Sequence, residues 1–474
     1  MEERNAKEKY YLRISSQLLS MKKPDPLIQN ALQNKREKKR LKRLRKSIIY
    51  RGKMSVYEKI QNFQVVHDKR IINQFQSKVY KFLLDKNFIT GTESRDRKIL
   101  FPKIFSLCDN YSESVQSIRN MVFAIWKNAG QTIELDFSKC TKVDQSALFL
   151  LQILRLEILG ELIKLEKGLK ILSARVKFDI EKSAEQSVNF NLFLCGFLSN
   201  VEATNDMIPI DTIGYIKGTK SQKSYLENRK GVIGTKIVTY FDKCLRNNLY
   251  TLTPKGKNEL GNMIGEILNN AEDHSPTNTY YVTANYYIDK GTASNENDAV
   301  GVLNLSFMNF GYSIFEGLEQ TKLENFETYD FLEGVYEQCG TKKFSKENMF
   351  TLLALQDGVS RLKFEDKSRG TGTMTFINCF YEIGDYQNLE RSLLPQLSIL
   401  SGTTQLICNN SYRPFSDDKG NYFLSLNRDN DLTKPPDPKN LMDVKHGFPG
   451  TILSVRFCLS RGHIQKKMNN GTGN

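Results

Sequence analysis

The stretch "GEILNNAEDHS", residues 265–275, sets carboxylates, two amides and an imidazole into eleven positions flanked by apolar residues. If "KNELGNMIGEILNNAEDHS" forms one helix, Glu266, Asn270 and Asp273 or His274 follow at i, i+4 and i+7 or i+8 and stack on a single face. Met263, Ile264, Ile267 and Leu268 are left to pack against a core. A polar ridge on a core helix is either a solvated face or the wall of a site.

The segments around this helix define its fold. From residue 232 the pattern is helix, helix, strand, strand: "VIGTKIVTYFDKCLRNN", the quoted helix, "TYYVTANYYID" and "VGVLNLSFMNF". A charged, helical insertion follows over about 315–366, then the Gly-rich turn "SRGTGT", then strands at "LSILSG", "TQLICNN", "NYFLSLN" and "GTILSVRFCL". Helices on one face of a mixed, largely antiparallel sheet describe a two-layer α/β sandwich. Upstream, "TIELDFSKCTKVDQSALFLLQILRLEIL" reads as a strand, a turn and a long apolar helix. A second strand at "GLKILSARVKF" and a helix at "QSVNFNLFLCGFL" complete a smaller α/β module. The expected organisation is a basic extension over 1–97, a module over 98–215, a polar linker over 216–231, a second domain over 232–460 and a tail over 461–474.

The chain has 474 residues, too many for one ordinary core. No apolar run reaches the roughly 18 residues of a membrane span, and the charged start "MEERNAKEKYYLR" lacks a signal-peptide pattern, so a soluble, cytoplasmic protein is expected. The eight cysteines occur singly with no CxxC pair, which favours buried thiols over disulfides or a zinc site. Of the net charge of +15, ten units come from residues 35–53, "KREKKRLKRLRKSIIYRGK". That block is either a solvated arm or a surface for a polyanion such as nucleic acid or anionic lipid.

Three separated elements carry the chemistry. In "KSRGTGTMTFINCFYEIG", Gly370 and Gly372 let backbone N–H groups turn toward an anion, and Thr373 opens an apolar helix whose positive end faces it. Glu266 is placed to orient and deprotonate a nucleophile, and Asn270 offers a side-chain oxygen to magnesium. Asn309 and Gly311, in "SFMNFGYSIFEG", end a strand where a base can dock.

In this order, "EILNNAEDH" resembles the N box of the GHKL superfamily, the ATP-binding fold of DNA gyrase, MutL-type proteins, histidine kinases and anti-sigma-factor kinases. The family pattern maps to Glu266, Asn270 and Ala271, and His274 is most like the anti-sigma-factor branch. "NFGYSI" occupies the place of the Asp-x-Gly-x-Gly turn, "SRGTGT" that of the phosphate lid motif, and "FPGTILSVRF" carries the usual Gly-Thr pair at 450 and 451. The resemblance implies ATP and Mg2+ held by Asn270, Asp273, His274, Asn309, Gly311, Arg369, Gly370, Thr371, Gly372 and Thr373. It implies magnesium on Asn270, Glu266 as base, and a lid over 315–370. Two positions depart from the pattern: Asn309 replaces the adenine-reading Asp, and Ser313 replaces the second Gly.

The upstream module is similar to STAS domains, the anti-sigma-factor-antagonist fold, with Gln145 standing where the phosphorylated Ser is expected and Ser146 as the helix cap. Together the resemblances imply a regulatory Mg-dependent ATPase or protein serine kinase, with a protein partner through the STAS-like module. The alternative is a non-catalytic, nucleotide-gated adaptor whose basic arm binds nucleic acid.

Overall fold

The computed structural model describes residues 97–128, 131–169, 176–200, 207–219, 229–246, 251–273, 279–290, 299–339, 343–359, 372–383 and 394–460. The basic arm at 35–53, His274, Arg369, Gly370, Thr371 and the tail 461–474 lie outside the described residues, as does the side chain of Asp273. The chain divides into two compact units, Met1–His67 with Leu165–Leu172 and Asp68–Lys164 with Ser173–Asn474. Of the first, only the helical residues 165–169 are described; all the strands and the remaining helical residues belong to the second.

The class is mixed α/β. A parallel three-stranded sheet has β1 (Lys98–Leu100), β3 (Thr132–Asp136) and β5 (Lys177–Glu181) in that order. A parallel pair, β2 (Ile104–Phe105) and β4 (Lys142–Val143), has α1 (Tyr111–Lys127) against β2 and α3 (Gln186–Leu194) against β4, and α2 (Gln145–Leu169) follows β4 in the chain. The strand expected within 168–178 starts only at Lys177. "GELIKLEKGL" is rich in Leu, Glu and Lys, and such a run continues a helix, so α2 carries through to Leu169. Asp144, rather than Ser146, caps α2: its Oδ1 accepts the Ala147 N–H at 2.7 Å and the Ser146 hydroxyl at 2.7 Å.

The larger sheet is antiparallel throughout, in the order β6 (Met207–Thr219), β7 (Thr279–Asp289), β8 (Val300–Phe310), β12 (Leu441–Ser460), β9 (Gln396–Cys408). The stretch 216–231 is therefore not a plain linker: it contains the end of β6 and the start of the next helix. Likewise "LSILSG" and "TQLICNN" form the single strand β9, and β12 begins well before "GTILSVRFCL". "NYFLSLN" supplies only the short β11 (Tyr422–Phe423), paired with β10 (Phe415–Ser416).

Against one face pack α4 (Arg229–Arg246), α5 (Pro254–Asp273) and α9 (Gly372–Ile383). Their Ile237, Phe241, Ile264, Leu268, Ile377 and Phe380 share one core with Val282, Leu305, Leu397 and Val455 of the sheet. The insertion contains α6 (Ile314–Gln320), α7 (Phe326–Gln338) and α8 (Lys346–Ala354), with a satellite core of Leu318, Leu332, Phe350 and Leu353. Glu347 of α8 ties it to β9, accepting from the Thr403 N–H at 3.0 Å and hydroxyl at 2.7 Å.

The expected two layers become three, because residues 279–287 of β7 and all of β8 are buried, which requires cover on both faces. The second face is unusually polar, with Asn285, Asn304, Ser306 and Ser454 buried in it. The amino-terminal module satisfies part of this polarity. Asn304 donates to Asn285 Oδ1 at 2.9 Å, and Asn285 donates to Gln145 Oε1 at 2.9 Å. Tyr215 donates to Glu157 at 2.6 Å, and Phe190 meets Tyr287 edge to face at 5.2 Å.

Candidate functional site

On α5 the apolar positions Leu260, Met263, Ile264, Ile267 and Leu268 turn into the core, which leaves Glu266 exposed and Asn270 half-buried. The helix packs on β7 and β8 and lies beside α9, whose first residues are Gly372 and the half-buried Thr373. The helix bearing Glu266 and Asn270 thus lies between the central strands β7 and β8 and the helix α9.

Strand register sets a row of residues across the large sheet. Tyr280 of β7, Asn309 of β8, Thr451 of β12 and Ser401 of β9 are successive partners across four strands. Alternation puts them on the same face as Val282, Phe307, Leu453 and Ile399, the face covered by the helices. Asn309 is 2% exposed and Tyr280 1%. Asn309 Nδ2 and the Tyr280 hydroxyl are buried with no hydrogen-bond partner among the described residues. A buried polar atom without a partner costs about 1–3 kcal/mol, so two of them in adjacent positions call for a reason.

The rest of the row is occupied. Ser401 and Thr451 hydroxyls lie 2.9 Å apart, and the Ile314 N–H at the start of α6 donates to Ser401 Oγ at 2.8 Å. This links the row to the first residue of the insertion. The Tyr280 ring lies over Gly218 of β6, where a Cβ would fall 2.1 Å from ring carbon Cζ. Burial, with the charge of the buried Glu272 of α5 added, pushes the Tyr280 phenol up to about 12, so it stays a neutral hydroxyl.

Two positions of the strand-end turn have local structural duties. The Gly311 N–H donates to Pro449 O at 2.9 Å and closes the turn against β12, so that amide is committed to the fold. Ser313 caps α6, accepting from the Glu316 N–H at 3.1 Å while its own N–H donates to the Glu316 carboxylate at 3.0 Å, which accounts for Ser in place of a second Gly. Gly450 has φ +141°, and a Cβ there would lie 2.1 Å from the Asn309 carbonyl oxygen. Only glycine allows β12 to approach Asn309 so closely.

Sequence spacing singled out Glu266, Asn270 and Asn309 but not the neighbours of Asn309 in the row, Tyr280 and Ser401, and it reached Thr451 only through its Gly-Thr pair. Their membership depends on pairing between strands up to 171 positions apart, from Tyr280 to Thr451, and no local pattern encodes that. Among the described residues no helix is long and apolar enough to cross a membrane. No protein family, curated protein or solved structure matches the chain.

Proposed function

We propose that the chain binds a purine nucleoside triphosphate with Mg2+ in a GHKL-type site on the helix-covered face of the large sheet. The observation that carries this reading is the pair of unpartnered buried groups on Asn309 and Tyr280, in a row continued by Thr451 and Ser401. The order of elements also supports it: two helices, two strands, a helical insertion, a Gly-initiated helix and the closing strands. The preceding module, with its parallel strands and the turn at Asp144–Gln145, supports the STAS-like reading in the same way.

On this reading Asn309 recognises the base with a neutral amide, which offers a donor and an acceptor where a carboxylate offers acceptors alone. Asn270 presents an amide oxygen, a hard ligand that suits magnesium, which keeps several waters and phosphate oxygens, and Glu266 lies one turn earlier. Magnesium held by Asn270 would supply positive charge to offset that of the triphosphate. Glu266 orients the attacking oxygen and takes its proton, and the segment Arg369–Thr373 encloses the phosphates. Glu266→Gln is expected to keep nucleotide affinity while phosphate release falls by roughly 100-fold. Equal turnover in the Gln variant would remove Glu266 from the reaction.

A second reading, a nucleotide-gated adaptor without turnover, is favoured by one observation. Gln145, at the position of a phosphoacceptor, has an amide in place of a hydroxyl and holds Asn285 on the opposite face of the sheet. Transfer to that position within the chain has no acceptor, so wild-type binding with no phosphate release selects the adaptor. For residues 35–53 we propose a polyanion contact, expected to weaken with salt in proportion to the phosphates neutralised. A chain lacking them that kept both affinity and salt slope would exclude it.

A further inference from the structure

A cavity of about 440 Å³ lies away from the row of polar groups, between the first half of α1 and the irregular part of β12. The lining joins the apolar Leu100, Phe101 and Val115 to Arg119, Lys445 and His446. Register breaks between Asp443 and Phe448 and again before Thr451, and His446 takes a left-handed backbone with φ +63°. Tyr111 at the start of α1 donates to the His446 carbonyl at 2.9 Å, which pins this bulge to the helix.

Arg119 is 2% exposed, so bulk water does little to screen its charge inside the cavity. Burial, then the charges of Lys445 and Arg119, hold His446 below its ordinary value. Glu113 is the one carboxylate among the described lining residues, and its Oε2 accepts from Asn110 Nδ2 at 2.8 Å. A cavity of this size, apolar on some walls and positive on others, has the character of a small-molecule site.

We propose that this cavity binds a small organic anion, with a carboxylate or phosphate head at Arg119, Lys445 and His446 and an apolar or aromatic body against Leu100, Phe101 and Val115. The proposal is independent of ATP binding and of the role given to Asn309. Calorimetric titration of the full chain with phenyl phosphate, benzoate and inorganic phosphate, at fixed ionic strength, tests it. Phenyl phosphate or benzoate, whichever head the site prefers, should bind saturably. Inorganic phosphate should bind at least about tenfold more weakly, because it lacks a body to bury. Lys445 is exposed, so Lys445→Glu should fold normally and weaken the aromatic anion by about tenfold or more. Arg119→Gln, checked for an unchanged melting transition, should weaken it further. The proposal is overturned if neither aromatic anion binds, if inorganic phosphate binds as well as they do, or if Lys445→Glu leaves affinity unchanged.

Discussion

On the proposed reading, the Asn309 side chain is reserved for a ligand and does not serve the fold. A side chain that serves the fold loses stability when its polar atoms are removed, whereas one buried with an unpartnered donor gains or loses little. Asn309→Leu, close in volume, is therefore expected to match or exceed the wild type in urea unfolding. A loss of more than about 2 kcal/mol would mean that the amide is engaged in the folded chain. The placing of Glu266 and Asn270 one turn apart on a single helix was legible because helical spacing is a local property. Tyr280 and Ser401 were not, because each becomes a neighbour of the site only when strands distant in sequence pair.

Between α4 and α5, Asp242 shows how one carboxylate fixes a connection between elements. It accepts from the Leu252 N–H at 2.8 Å, from Lys257 at 3.0 Å, from Thr251 Oγ1 at 2.8 Å and from Arg246 at 2.7 Å. These contacts, the Leu252 N–H foremost, hold its carboxyl well below its ordinary value of 3.8. A depressed native pKa means that the unfolded chain binds the proton first. The contribution is thus present in full above about pH 5 and lost as the pH falls through the native value. Asp242→Asn should lower the urea midpoint at pH 7 and flatten its fall below about pH 4; an unchanged acid limb would assign that fall to other groups. β7 and β8 were legible residue for residue, since both are rich in β-branched, aromatic and apolar side chains, with only a few isolated polar residues among them. The limits of α2 and β6 were not, because Gly168 and Gly218 look like breaks. Gly168 lies within α2, and Gly218 sits in β6 to admit the Tyr280 ring.

Across the whole molecule, the amino-terminal module and the helices α4, α5 and α9 cover opposite faces of one sheet. The α/β class and the helix-covered face could be read from periodicity, but the third layer could not. Asn285 and Asn304 looked like ordinary polar positions of a half-exposed strand, but both are buried, and Asn285 finds its acceptor on Gln145 of the amino-terminal module. Gln145→Leu should leave the Asn285 amide without its acceptor and cost about 1–3 kcal/mol in urea unfolding, and no loss would mean that this contact does not bind the layers together. The central claim is that the pair of buried groups on Asn309 and Tyr280, on the other face, is kept for a nucleotide. Its most direct test is calorimetric titration of the full chain and of Asn309→Leu with Mg·ATP. The wild type is predicted to bind one nucleotide saturably, and the variant, its fold intact, to lose at least about tenfold in affinity. No saturable binding by the wild type, or equal affinity in the two proteins, would contradict that claim.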